Sequence, residues 1–128
     1  MAKCQQVLYL KFITMIELKL PYPPSVNNYW GFKGSRRFLT KKANDFKFIV
    51  NLASKRARFG ADKVGIEVVL HAPDRRRRDL DNSTKSLGDA LQQAGVFDDD
   101  SQIDEWKISR GSVIKGGCCV VRIRSLQE

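Results

Sequence analysis

Apolar residues recur at every second position in IELKL, Ile16 to Leu20, and again from Val64 to His71, where Val64, Ile66, Val68 and Leu70 fall on one side. Between these runs Ala43, Phe46, Ile49, Val50, Ala53 and Ala57 follow the i, i+3, i+4 spacing of a helix face, predicting a helix from Lys41 to about Arg58 with Thr40 as its N-cap. A second helix is predicted from Asp81 or Asn82 to about Ala94, with Gly95 as its stop. Two closing strands, around Glu105 to Val113 and Cys118 to Ser125, flank a hairpin turn predicted at Lys115 to Gly117. The period thus switches in the order strand, helix, strand, helix, strand, strand. That order predicts an α+β fold, a mixed β-sheet covered by two helices. With 128 residues and 42% apolar composition the chain has material for one hydrophobic core, hence a single domain from Met15 to Glu128.

The run VLYLKFITMIEL ahead of the first strand raises the question of a signal or membrane segment. Lys11 and Glu17 interrupt it, it falls short of the roughly 20 residues a spanning helix needs, and it lacks a small-residue cleavage pattern. Residues 1 to 14 are therefore read as an N-terminal extension, and no membrane partner is expected. The cysteines are Cys4, Cys118 and Cys119 and the single histidine is His71, a set without zinc-site spacing. Neighbouring cysteines on a strand point to opposite faces, so a reducing cytoplasm is the expected compartment. Lys and Arg number 23 against 14 acids, a formal charge of +9, which favours a polyanionic partner or an anionic membrane surface.

The chemistry is concentrated between Arg75 and Glu105, in RRRRDLDNSTKSLGDALQQAGVFDDDSQIDE. Asp79 and Asp81 lie two apart at the exit of the second strand, so on an extended backbone their side chains point the same way. Asp98, Asp99 and Asp100 follow the next helix, and a chain folding back would bring them near Asp79. Clustered carboxylates repel unless a cation sits among them, and Mg²⁺, with Mn²⁺ as an alternative, suits oxygen ligands of this kind. Lys85, four residues after Asp81, shares its helix face and is placed to offset charge on a phosphate. The plain alternative is structural: Asp81 or Asn82 caps the helix and Lys85 forms an i, i+4 ion pair. An EF-hand loop is excluded, because a template started at Asp98 puts Ile103 where glycine is needed and Ser109 where glutamate is needed.

Arg75, Arg76, Arg77 and Arg78 read as contacts to backbone phosphates, or alternatively as pairing partners for the acids. Lys33, Arg36 and Arg37, in a loop rich in proline and aromatic residues, add positive charge, as do Lys41, Lys42, Lys47, Lys55 and Arg56 on the first helix. Tyr29, Trp30 and Phe32 are candidates for stacking on unpaired bases, with core packing as the alternative.

The string PDRRRRDLDN at Pro73 to Asn82, followed by Lys85 and by AGVFDDDSQI at Ala94 to Ile103, resembles the signature of RusA-type Holliday junction resolvases, crossover junction endonucleases common in phages and prophages. LPYPPSVNNYW, Leu20 to Trp30, resembles that family's opening segment, so the likeness runs from about Met15 to Arg124. The resemblance implies that Asp79, Asp81 and Asp100 bind a catalytic Mg²⁺ and that Lys85 is needed for cleavage. It further implies a homodimer that binds a four-way DNA junction and nicks two opposing strands, with no small-molecule cofactor. A junction-binding protein that does not cut, and a less selective nuclease for branched DNA, are the alternatives.

Overall fold

The computed structural model describes residues 15–55 and 57–126; the extension 1–14 with Cys4, and Arg56, lie outside the described residues. Its most apolar strand stands inside the sheet. Strand β1 spans Met15–Leu20, and two further short strands, β2 (Trp30–Lys33) and β3 (Arg36–Leu39), form a hairpin of their own. Then come β4 (Val64–His71), β5 (Ile103–Arg110) and β6 (Cys118–Ser125). The main sheet has the order β1-β6-β4-β5. β4 lies antiparallel to β6 and parallel to β5, so the sheet is mixed, as the apolar periods predict.

The sheet is half-buried by alternation. Leu18, Leu20, Val64, Ile66, Val68, Leu70, Cys119, Val121 and Ile123 face the core. On the open face Glu17, Arg122, Glu67 and Lys107 stand in register across four strands. Arg122 pairs with Glu17 at 3.2 Å and Glu67 at 3.9 Å, Lys107 with Glu67 at 3.9 Å, and Arg124 with Glu105 at 2.5 Å. Exposed pairs of this kind contribute at most about 1 kcal/mol each. Their larger effect is to neutralise much of this face, leaving the excess positive charge to other surfaces.

Two helices cover the apolar face, α2 (Lys41–Ser54) and α3 (Thr84–Gln93), the short helix α1 being Val26–Tyr29. Phe46 and Val50 from α2 and Leu87, Ala90 and Leu91 from α3 enter the core. Thr40 caps α2, accepting from the Ala43 N–H at 3.2 Å. The helix ends a turn before the predicted Arg58: Lys55 adopts the left-handed conformation (φ 48°). Gly95, with φ 80°, follows α3 as the predicted stop.

Two sequence expectations are corrected. The closing strands β5 and β6 do not form a hairpin, because β4 lies between them. The crossover through α3 lays β5 on one side of β4, and residues 111–117 then pass over the end of β4, with the Gly111 and Ile114 N–H groups donating to the carbonyls of Leu70 and Ala72. The expected turn does form, closed by the Gly117 N–H on the Ile114 carbonyl, but it delivers the chain to the far side of β4. The second correction concerns residues 21–38, expected as a loop, which contain α1 and the β2–β3 hairpin with Gly34 (φ 65°) at its turn.

Candidate functional site

The charged block lies where β4 ends and the chain turns back toward α3. Leu80–Ser83 form a single turn of 3-10 helix leading into α3, and neither Asp79 nor Ser83, the residues in the two cap positions, makes a side-chain capping bond. Asp81 uses its backbone carbonyl, which accepts from the Thr84 hydroxyl at 2.9 Å. The capping alternative for Asp81 therefore fails. Among the described residues the carboxylates of Asp79, Asp81 and Asp100 and the ammonium of Lys85 make no hydrogen bond or ion pair, although four arginines precede Asp79 directly.

The arginines pair elsewhere. Arg78 Nη1 lies 2.7 Å from Asp74 Oδ1, and Arg76 Nε lies 3.7 Å from Asp74 Oδ2. The Arg78 guanidinium, with the Arg76 N–H, holds the Asp74 carboxyl at a pKa of about 2, below the usual carboxylate range. Arg110 donates to the Arg78 carbonyl, which anchors the end of the block to β5. Arg75, Arg76 and Arg77 are exposed, and Arg76 and Arg77 line one hollow with Lys42 and Asp79. The block thus divides into Arg78, which with Arg76 holds Asp74 and organises the loop, and Arg75 and Arg77, which make no ion pair among the described residues.

Of the three consecutive aspartates, Asp99 is used by the fold. Its carboxylate accepts from the Ser101 hydroxyl and N–H, and the Gln102 side chain accepts from its N–H at 2.7 Å, a capping box that starts the turn Asp100–Gln102. These bonds hold the Asp99 carboxyl below its ordinary pKa. Asp100 lines a second hollow together with Lys85, Asp89, Thr84, Gly88 and Trp106. The turn therefore leaves Asp100 available and brings it to Lys85.

Sequence reasoning passed over two members of that hollow as functional groups. Trp106, 39% exposed on edge strand β5, stands against Gly88, where an added Cβ would lie 3.7 Å from its ring. Asp89, one turn beyond Lys85, accepts a 2.6 Å hydrogen bond from the Tyr29 hydroxyl. Their signals in the sequence were a tryptophan flanked by Glu105 and Lys107 and a carboxylate eight residues after Asp81. Tyr29, a base-stacking candidate, is instead buried at 1% exposure. Its bulk fills the space under α3, so it offers no free ring face. Trp30 is partly covered, with the Arg37 guanidinium 4.0 Å over its ring, whereas Lys33, Arg36 and Arg37 stand exposed on the hairpin as their composition suggests.

The donors suit a hard divalent cation in kind, being carboxylates free of protein partners. They are not assembled into a cage: among the described residues no group of three or more His, Cys, Asp or Glu side chains stands close enough to hold a metal ion. Asp79 stands with the arginines and Asp100 with Lys85.

Residues 21–124 match the family described as Endodeoxyribonuclease RusA. The chain is 37% identical over 112 residues to the crossover junction endodeoxyribonuclease rusA of Enterobacteria phage HK97, covering 85% of this chain and 93% of that protein. It is 37% identical over 103 residues to the crossover junction endodeoxyribonuclease RusA of Escherichia coli (strain K12), covering 78% and 86% of the two chains. Likeness to the enzyme of Enterobacteria phage 82 is 36% over 103 residues.

Proposed function

The chain belongs to the endodeoxyribonuclease RusA family, and from that premise we propose that it resolves four-way DNA junctions by hydrolysing one phosphodiester in each of two opposing strands. It is a crossover junction endodeoxyribonuclease acting in DNA recombination and repair. The observation that supports the site assignment is that the carboxylates of Asp79, Asp81 and Asp100 make no pair among the described residues, while the arginines next to Asp79 pair with Asp74 instead. A protein that merely bound DNA would gain nothing from free carboxylates facing phosphate, which repel it.

In this reading Arg75, Arg76 and Arg77, with Lys33, Arg36 and Arg37 on the hairpin, hold the DNA by its phosphates and set affinity without reading sequence. Lys85 points its ammonium at the scissile phosphate and offsets the charge that grows on its oxygens as water attacks phosphorus and one P–O ester bond breaks. Asp79, Asp81 and Asp100 would hold a divalent cation, Mg²⁺ first and Mn²⁺ second, which when bound polarises the phosphodiester and the attacking water. What supports a cation here is the kind of donor, carboxylates that make no protein pair among the described residues.

A second copy of the chain completes the proposal, because paired nicks need two sites related by a two-fold axis. Phe48 and Leu52, one turn apart on the outer face of α2, are 63% and 61% exposed and give such a copy an apolar surface to cover. The test is cleavage of an end-labelled synthetic four-way junction beside a matched linear duplex, with Mg²⁺ and with EDTA. Paired, symmetric, metal-dependent nicks on the junction are expected. Binding without any cut would overturn the enzymatic reading.

A further inference from the structure

The base of the hairpin is tied to the helix that bears Lys85. Tyr29 closes α1 immediately before the first hairpin strand, and its buried hydroxyl donates to Asp89 Oδ2 on α3 at 2.6 Å. A second tie lies beside it, where the Ser86 hydroxyl donates to the Pro24 carbonyl at 2.7 Å. The far end of the hairpin returns to the same residue: the Thr40 N–H donates to the Tyr29 carbonyl at 3.1 Å. Trp30 stands edge-on to the Tyr29 ring with centroids 5.3 Å apart, beneath the Arg37 guanidinium. Contacts therefore run without a break from Arg37 through Trp30 and Tyr29 to Asp89, which shares its hollow with Lys85 and Asp100.

A buried tyrosine hydroxyl needs an acceptor, and a backbone carbonyl or a neutral amide would serve. Here the acceptor is a carboxylate in a part-open hollow that a phosphate must approach, which adds repulsion at the least suitable place unless that carboxylate has a task. Burial, reinforced by the bond to Asp89, raises the Tyr29 phenol far above its usual range, so the hydroxyl stays a donor at any working pH.

We propose that the Tyr29–Asp89 hydrogen bond is a positioning contact for cleavage: it sets α3, and with it Lys85, against the hairpin, so that DNA held by Lys33, Arg36 and Arg37 presents its phosphate to Lys85 and Asp100. The proposal rests on the junction-cleaving reading above. Tyr29 and Asp89 act through Lys85 and need not touch the reacting atoms. Because the hairpin and the lysine helix meet at this bond, its loss affects registration more than affinity.

The test uses the full chain and a four-way junction, reading binding in EDTA and single-turnover cleavage in Mg²⁺ at saturating protein. Tyr29→Phe keeps the ring and removes the hydroxyl. It is expected to remain folded by circular dichroism, to bind the junction as the natural chain does, and to cut roughly ten- to a hundredfold more slowly, the scale of loss for a misplaced catalytic group. Asp89→Ala is expected to match it, and the double variant to be no slower than either single one, because both remove the same bond. Asp89→Asn still offers an amide oxygen to Tyr29 and is expected to recover most of the rate. Full-speed cleavage by Tyr29→Phe overturns the proposal. So does a fall in affinity parallel to the fall in rate, which marks a purely structural bond, or an Asp89→Asn variant as slow as Asp89→Ala, which makes the charge the active property. If the natural chain itself cuts no junction, the underlying functional reading fails instead, and that result is visible before any variant is compared.

Discussion

Asp81 and Asp99 lie in similar company and are used differently. The carboxylate of Asp99 is spent on a capping box, whereas that of Asp81 has no protein partner among the described residues. Asp81→Asn is therefore expected to fold normally, to lose cleavage, and to bind junctions as tightly as before or more tightly, since it removes a negative charge near phosphate. Gel-shift binding in EDTA beside a cleavage assay checks this, and loss of binding by a folded variant would contradict the assignment. The arginines divide on the same principle. Arg77 is exposed and free of ion pairs among the described residues, so Arg77→Ala is expected to reduce the slope of log affinity against log salt by about 1. Arg78 is committed to Asp74 and lies near the Tyr22 ring, so Arg78→Ala is expected to disturb the loop instead, with thermal melting as the readout.

Among the elements, those with strong apolar period were legible in the sequence and those set by long-range pairing were not. β1, β4, β6 and the start of α2 fall where alternation, helix spacing and Thr40 predict them. The β2–β3 hairpin was hidden because its four-residue strands, WGFK and RRFL, are too short and mixed to show an apolar–polar alternation, and Pro21, Pro23 and Pro24 marked the region as loop. The false β5–β6 hairpin arose because Gly116 and Gly117 signal a turn but say nothing of which strand lies across it. The passage over the end of β4 carries its own test. An added Cβ at Gly111 would lie 2.3 Å from His71 Cε1 and 2.8 Å from Val69 Cγ1, too close for either to keep its place. Gly111→Ala is expected to destabilise the fold by about 1 to 3 kcal/mol, the usual cost of overpacking, measured by chemical denaturation. Of the candidate site, the residue types and spacing could be read directly. The choice of Asp100 over its neighbours depends on family resemblance; the turn shows only that Asp99 is engaged, and the place of Asp89 required the long-range contact to Tyr29.

Over the whole molecule, charge and symmetry decide what the fold is for. The open face of the sheet pairs Glu17, Glu67 and Glu105 with Arg122, Lys107 and Arg124, whereas Lys33, Arg36 and Arg37 on the hairpin and Arg75, Arg76 and Arg77 in the arginine block stand exposed. A junction offers phosphates on several arms at once, and a single protomer offers one site. The proposed two-fold pairing is tested by replacing both Phe48 and Leu52 by aspartate: sedimentation is expected to show a dimer for the natural chain and a folded monomer for the variant, still able to bind DNA weakly but unable to make paired nicks. A double variant that remains dimeric would move the contact to another face. No helix among the described residues is long and apolar enough to cross a membrane. The measurement that bears most directly on the central claim is strand-by-strand mapping of cuts in an end-labelled four-way junction, with Mg²⁺ and with EDTA, against a linear duplex of the same sequence. Symmetric cuts in two opposing strands, confined to the junction and to the metal-containing reaction, are the expected result. Junction binding with intact strands under both conditions would contradict it, and would make the free carboxylates of Asp79, Asp81 and Asp100 a feature of a binding protein.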